Sequence, residues 1–362
     1  MVDPKTFYAM VADVENERIA ILNKIKESDM PLIVFGGERS SFVAKQVLEA
    51  NGIAVSHHCT DAAYAAKRSN LILLKNVPYS KYNVFLGMMN YYPVINSIKN
   101  NSAVSDIFYC DFDEYIPTRE FFDLAYVNKN LTTLTAVYNL LEDNISKNSF
   151  VDYIRTRISG NTSYSEKYYI DGISTYFDPS IVSISSKETF IDCGAYVGDT
   201  INDLIKVSGS DKHNIFAFEP DEKNIPILLD FFSGSKLTNA RLIPKGVWKC
   251  SDTLTFCAEG SSCSSINESG NTTIDVDAID NLFSDRKVTF IKMDIEGVEF
   301  EALNGALNTI KRCIPTLAIS LYHKNEDLYK IPLLLKEHCP YYKFNFRLYS
   351  RSTYDCVLHA TL

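Results

Sequence analysis

Thr189-Phe-Ile-Asp-Cys-Gly-Ala-Tyr-Val-Gly-Asp-Thr200 reads as a buried strand that runs into a glycine turn and then a helix. Thr189, Phe190 and Ile191 are β-branched or aromatic, as the centre of a sheet prefers. Gly194 and Gly198 let the backbone come close to a ligand, and Asp199-Thr200 can cap the helix that follows. Asp192 falls at the carboxyl end of the strand, which faces the ligand crevice in an open α/β sheet. The spacing Asp-x-Gly-x-x-x-Gly departs from the dinucleotide pattern Gly-x-Gly-x-x-Gly by placing an acid where a pyrophosphate would lie. A carboxylate there repels phosphate and suits a cationic cofactor.

S-adenosylmethionine is such a cofactor. After a helix from Thr200 to about Val207, the strand Asn214-Ile-Phe-Ala-Phe-Glu-Pro220 ends in Glu219, placed to grip two ribose hydroxyls. An acid at that position serves NAD as well, so Glu219 alone does not separate the two cofactors. The stretch Val288-Thr-Phe-Ile-Lys-Met-Asp-Ile-Glu-Gly297 is a further apolar strand, ending in Asp294 and Glu296 and opening a helix from Val298 to about Arg312. Two carboxylates at a strand mouth raise each other's pKa, which is costly to maintain without a purpose. Glu296 can instead cap the helix or favour its N-terminal dipole; Asp294 lies at the crevice end of the strand.

The wording FIDCGAYVGDT, FAFEPD, FIKMDIEGVEFEALNGA and LAISLYHKNEDLYKIP, in that order, resembles the FkbM-type methyltransferases, a branch of the class I S-adenosylmethionine-dependent enzymes. The resemblance covers about residues 165–362, including Ile173-Ser-Thr-Tyr-Phe-Asp-Pro179, and does not reach the first half. It implies that Asp192, Gly194, Tyr196 and Gly198, with Asp199 beside them, line the cofactor. It further implies that Glu219 takes the ribose hydroxyls and that Asp294 lies beside the methyl donor. The reaction implied is O-methylation of a sugar, glycan or natural-product hydroxyl.

A chain of 362 residues exceeds what one core usually organises, so two domains are expected. Residues 1–145 form a smaller, degenerate Rossmann-like α/β domain, 146–170 a polar connector with one short helix around Phe150 to Arg157, and 171–362 the methyltransferase domain. The first begins with an amphipathic helix over about Lys5 to Glu27. A β-α-β unit follows: Pro31 to Gly37, a helix from Ser41 to Asn51, and a strand at Gly52-Ile-Ala-Val-Ser56. Leu71 to Leu74 and Asp106 to Cys110 are further strands, and Phe121 to Leu141 is helical. The turn Gly36-Gly37-Glu38-Arg39-Ser40 lacks the full dinucleotide fingerprint, so acceptor docking or a structural role is favoured over a second nucleotide. His57-His58-Cys59, with Asp61 nearest, completes no metal spacing and reads as a surface turn.

The net charge of -9 argues against a polyanionic partner such as nucleic acid. No apolar run reaches the roughly 20 residues of a membrane span, and the acidic start lacks a signal-peptide pattern, so a cytoplasmic location is expected. Nine cysteines without a Cys-x-x-Cys pair form no disulfide framework and no zinc pattern. The expected partner is a small-molecule or glycan acceptor, with a homo-oligomer as a further option.

The order of elements points the same way. After Pro315 to His323 and a helix around Leu328 to His338, Lys343 to Tyr349 and Tyr354 to Ala360 are too close for a helical crossover and must pair antiparallel. The fold expected is therefore a class I methyltransferase Rossmann-like, doubly wound α/β sheet with an antiparallel last strand. His323, at the end of its strand, is the candidate base, its unperturbed pKa near 6.5 suiting the removal of a hydroxyl proton. Asp294, Glu296 and His323 could instead hold magnesium or manganese. The metal-free version is preferred, since a sequence cannot show that the three converge. Two rivals remain: an NAD-dependent sugar oxidoreductase using Gly36-Gly37, and a non-catalytic regulatory protein of methyltransferase-like fold.

Overall fold

The computed structural model describes every residue except 38, 61–70, 74–80, 88–94, 96–105, 113–114, 116–119, 259–264, 267–269 and 271. The chain divides into two compact units, Met1–Thr135 with Asn148–Tyr169 and Ser350–Tyr354, and Ala136–Lys147 with Ile170–Tyr349 and Asp355–Leu362. Among the described residues no helix is long and apolar enough to cross a membrane.

In the first unit, β1 (Leu32–Phe35), β2 (Val55–Thr60), β3 (Ile72–Leu73), β4 (Asn83–Leu86) and β5 (Ile107–Phe108) form a parallel sheet in the order β3-β2-β1-β4-β5. Strands β1 and β4 are buried along their whole length, as parallel strands covered on both faces must be. The single helix expected over Lys5 to Glu27 is two, Pro4–Ala12 and Glu17–Glu27. Each has its own start signal: Asp3 accepts from the N–H groups of Lys5 and Thr6, and Asn16 from that of Ile19. Arg18 on the second is fully buried, its guanidinium donating to the carbonyls of Asp111, Arg157 and Ile158.

Two expectations for this half change. His57, His58 and Cys59 lie within β2 rather than on a surface turn, with His58 Nε2 3.1 Å from the Gly36 carbonyl and 3.0 Å from Ser41 Oγ. Asp61, Glu38 and Leu74, which entered the same readings, lie outside the described residues. The stretch 146–170 is largely taken up by the 16-residue helix Asn144–Ser159 and the turn of helix Ser163–Glu166. Phe150, Tyr153 and Ile154 are buried there, and the polar residues that suggested a connector are spent internally. Thr156 Oγ1 lies 2.7 Å from Ser165 Oγ, and Tyr168 donates to Asp152 at 2.5 Å.

The second unit continues with β6 (Thr189–Cys193), β7 (Asn214–Phe218), β8 (Ala240–Ile243), β9 (Gly246–Val247), β10 (Asp252–Cys257), β11 (Ser265–Ile266) and β12 (Thr272–Asp277). Then follow β13 (Phe290–Met293), β14 (Thr316–Ser320), β15 (Lys343–Leu348) and β16 (Cys356–Thr361). Its main sheet has the order β15-β16-β14-β13-β6-β7-β8. Only β16 runs against its neighbours, pairing antiparallel with both β14 and β15. This is the doubly wound sheet with an antiparallel last strand that the sequence predicts. Phe177, Phe190 and Phe290 pack together on the sheet with centroids 5.3–5.8 Å apart. The helix expected over Val298 to Arg312 is broken into Glu299–Asn304 and Leu307–Cys313 at Gly305, where a Cβ would meet the Trp248 carbonyl oxygen at 2.3 Å. The small sheet β11-β10-β12-β9, between β8 and β13, has no counterpart in the expectations.

Residues 136–147 join this unit through Asp143, whose carboxylate takes both Arg347 nitrogens at 2.7 and 3.2 Å. Burial pushes that carboxyl up, but Arg347 and Ser146 prevail and hold it at about 2. His359, in the middle of β16, is fully buried, with Nε2 2.8 Å from the Tyr349 hydroxyl, which also donates to Asp178. Burial pushes this imidazole down from 6.5 to about 3, against the pull of Asp178. The folded state therefore excludes a proton that the unfolded chain binds below pH 6.5, so stability is greatest above that pH and falls as pH drops towards 3. The expected slope is about 1.4 kcal/mol per pH unit. Urea titrations across this range should show His359→Gln losing that part of the slope; an unchanged slope would contradict the assignment.

Candidate active site

The site is built at the carboxyl ends of β6, β7, β13 and β14, where an open parallel sheet leaves a crevice. The turn after β6 is shaped by left-handed residues: Gly194 at φ +81°, Tyr196 at +48° and Gly198 at +90°. A Cβ on Gly194 would sit 2.1 Å from the carbonyl oxygen of Asp294, so only glycine lets the turn pass this close to the end of β13. Gly198 caps the helix Asp199–Ser208 and leaves Asp199 exposed in its first turn.

Asp192 does not stand on an open crevice wall. It is wholly buried, and Lys292 on β13 reaches across the sheet to place Nζ 3.1 Å from its carboxylate. The same ammonium donates to the carbonyls of Gly194 at 2.7 Å and Cys193 at 3.3 Å, which ties the glycine turn to the neighbouring strand. Burial pushes Asp192 up to about 6 despite Lys292; burial also opposes the Lys292 charge, but Asp192 and Asp294 hold it above its ordinary value. Asp192 is spent on Lys292 inside the sheet, so the acids that face the crevice are others.

Glu219, at the end of β7, is buried and accepts from the N–H groups of Tyr196 and Asp221, both at 2.9 Å, and from Asn224 at 3.3 Å. Burial pushes its carboxyl up while these donors oppose the shift. An ionised carboxylate offers about four lone-pair directions, so it retains capacity for a hydroxyl.

Asp294, Glu296 and His323 are brought together. Asp294 accepts from Tyr176 at 2.7 Å and Tyr322 at 3.0 Å, one hydroxyl on each oxygen. His323 Nε2 lies 3.5 Å from Asp294 and 3.6 Å from Glu296, and Nδ1 lies 2.9 Å from Glu299, which also accepts from the Ile295 N–H. Glu296, at φ +59°, is the most open of the three acids, its side chain 26% exposed, whereas Glu299 is fully buried. The contacts around the ring are close approaches of charge, and neither ring nitrogen has an aligned hydrogen-bond partner.

This environment corrects the expectation of an ordinary imidazole. Burial would push His323 down, but Glu299 and Glu296 raise it well above 6.5. Burial likewise pushes Asp294 up, yet His323, Lys292 and the Tyr176 hydroxyl hold it below the usual carboxylate range. Burial and Glu299 together raise Asp327 to about 8, and burial with Asp294 raises Asp355 to about 6. The crevice end of β13 and β14 is thus rich in acidic side chains packed around one histidine.

Reasoning from sequence missed Lys292, Glu299 and Tyr176. A lysine inside the apolar run Phe-Ile-Lys-Met was a readable sign of a buried charge needing a partner. Glu299 lay one turn beyond Glu296 in an acidic helix start and was not singled out. Nothing local marked Tyr176.

The family model described as the methyltransferase FkbM domain matches residues 192–342. In fold, the chain is similar to a methyltransferase FkbM from Methylobacillus flagellatus KT, with a TM-score of 0.71 and 18% identity over 99% of this chain and 100% of that one. A SAM-dependent methyltransferase from Aquifex aeolicus aligns with 55% of this chain and 97% of its own, at a TM-score of 0.32 and 16% identity. No curated protein matches the sequence.

Proposed function

From the premise that residues 192–342 carry a methyltransferase FkbM domain, we propose that the chain is an S-adenosylmethionine-dependent O-methyltransferase acting on a hydroxyl of a sugar, glycan or natural product. The observation that carries this reading is the convergence of Asp294, Glu296, Glu299 and His323 at the crevice end of β13 and β14, beside the glycine turn of β6. The residues fit the cofactor. Glu219 keeps acceptor capacity for a ribose hydroxyl, and the carboxylates around the crevice favour a sulfonium over a phosphate.

S-adenosylmethionine supplies a methyl group on a sulfonium, and the C–S bonding pair stays with sulfur as the acceptor oxygen forms the new C–O bond. The chain's part is to bind, align and deprotonate. Glu219 and the turn from Gly194 to Gly198 hold the cofactor side, with Asp199 at the helix start. Lys292 keeps that turn against β13. Asp294, fixed by Tyr176 and Tyr322, presents its carboxylate to the crevice. Three carboxylates crowd the buried His323 ring, and the hydroxyl proton passes into the cluster through Glu296, the most exposed of them. His323 and Asp294 position that carboxylate and set its field.

The acceptor class is open to a direct test. Extracts incubated with the full chain and methyl-labelled S-adenosylmethionine should contain a product heavier by one labelled methyl group, attached through oxygen. Label on nitrogen or carbon would overturn the O-methyl assignment, and the absence of any labelled product would count against transfer.

A further inference from the structure

We propose that Asp294, Glu299 and His323 form a binding site for one divalent cation of the manganese and magnesium class. One ligand atom from each lies within 4.8 Å of the others, the span of two ligands facing each other across an ion with bonds of about 2.4 Å. Acidic residues often cluster without a cation, and two further observations set this group apart. The His323 side chain is 95% buried (5% exposed), and neither of its ring nitrogens has an aligned hydrogen-bond partner. The second oxygen of Glu299, which is fully buried, also lacks one. Buried polar atoms are rarely left this way.

A sulfonium would not satisfy them, because it offers no empty orbital and no N–H or O–H to a ring nitrogen. A cation that accepts lone pairs can take one ring nitrogen, in place of any proton there, together with a carboxylate oxygen from Asp294 and one from Glu299. Two carboxylates and one imidazole suit manganese or magnesium, whereas zinc and iron sites take more nitrogen or sulfur. The surroundings are those of a supported ligand set: both oxygens of Asp294 are held by tyrosine hydroxyls, and Glu299 is anchored by the Ile295 N–H. Glu296 stays outside the trio, at the rim.

The role of such a cation rests on the methyl-transfer reading. Bound beside the crevice, it would coordinate the acceptor hydroxyl and lower its pKa; the released proton goes to Glu296, and the oxygen lone pair to the methyl carbon. The binding itself does not depend on that reading.

Manganese(II) chloride titrated into the metal-stripped full chain, with free ion followed by electron paramagnetic resonance, should show one site per chain. Electron spin echo modulation of the bound ion should contain a nitrogen coupling from an imidazole. Asp294→Asn and Glu299→Gln should each weaken binding at least tenfold. No bound manganese in the unaltered chain, or bound manganese without nitrogen coupling, would overturn the proposal, and neither outcome depends on a variant folding. A parallel titration with S-adenosylmethionine separates the two readings: cofactor binding without manganese binding removes the cation site alone, and loss of both removes the methyltransferase assignment.

Discussion

His323→Ala is expected to lower turnover by about 10²- to 10⁴-fold while leaving S-adenosylmethionine affinity near that of the unaltered chain. The His323 ring sits between Asp294, Glu296 and Glu299 and is the centre of their arrangement. Removing it leaves three carboxylates facing one another with nothing to hold them apart. In the proposed function cofactor binding rests instead on the turn after β6 and on Glu219, neither of them among the carboxylates around His323. Turnover within tenfold of normal, with circular dichroism showing an intact fold, would mean that His323 does not position the carboxylates that take the proton.

Lys292→Met should destabilise the second unit by about 3–5 kcal/mol at neutral pH, because it strands the wholly buried Asp192 carboxylate without its cation. It also removes the donor that holds the Gly194 carbonyl, so cofactor affinity should fall with stability. The paired change Asp192→Asn with Lys292→Met should recover much of the stability, since neither charge then remains, but not the affinity. Urea titration and calorimetry on the single and double variants read both effects. A single variant as stable as the unaltered chain would mean that the pair is not what braces the turn.

The elements that carry the crevice were legible because parallel strands covered on both faces must be apolar along their length. β6, β7, β13 and β14 are such runs, and Asp192, Glu219 and Asp294 at the ends of the first three, with His323 after the fourth, mark the edge of the sheet. The close spacing of β15 and β16 permitted only a hairpin, which predicted the antiparallel last strand. What stayed hidden depends on distance in sequence. Tyr176 meets Asp294 from 118 positions away, and Lys292 meets Asp192 from the adjacent strand. The ordinary pKa assumed for His323 failed for the same reason, since the Glu299 contact that raises it is visible only in three dimensions. The small sheet from β9 to β12 was hidden differently. Its strands are short and mix polar with apolar residues, as in the buried and exposed positions of Thr272–Asp277. In the first half, Asn, Ser and Thr over 146–170 suggested a loop by composition, but helix Asn144–Ser159 buries Phe150, Tyr153 and Ile154 at helical spacing.

The central claim is that the crevice at the ends of β6, β7 and β13 takes S-adenosylmethionine. Calorimetric titration of the full chain with S-adenosylmethionine and, separately, with NADH tests it most directly. The account predicts one S-adenosylmethionine site per chain, no heat from NADH, and a loss of about 1–3 kcal/mol of binding free energy in Glu219→Ala, where a charged hydrogen bond to the ribose is removed. Binding of NADH in place of S-adenosylmethionine, or an affinity unchanged in a folded Glu219→Ala variant, would contradict it.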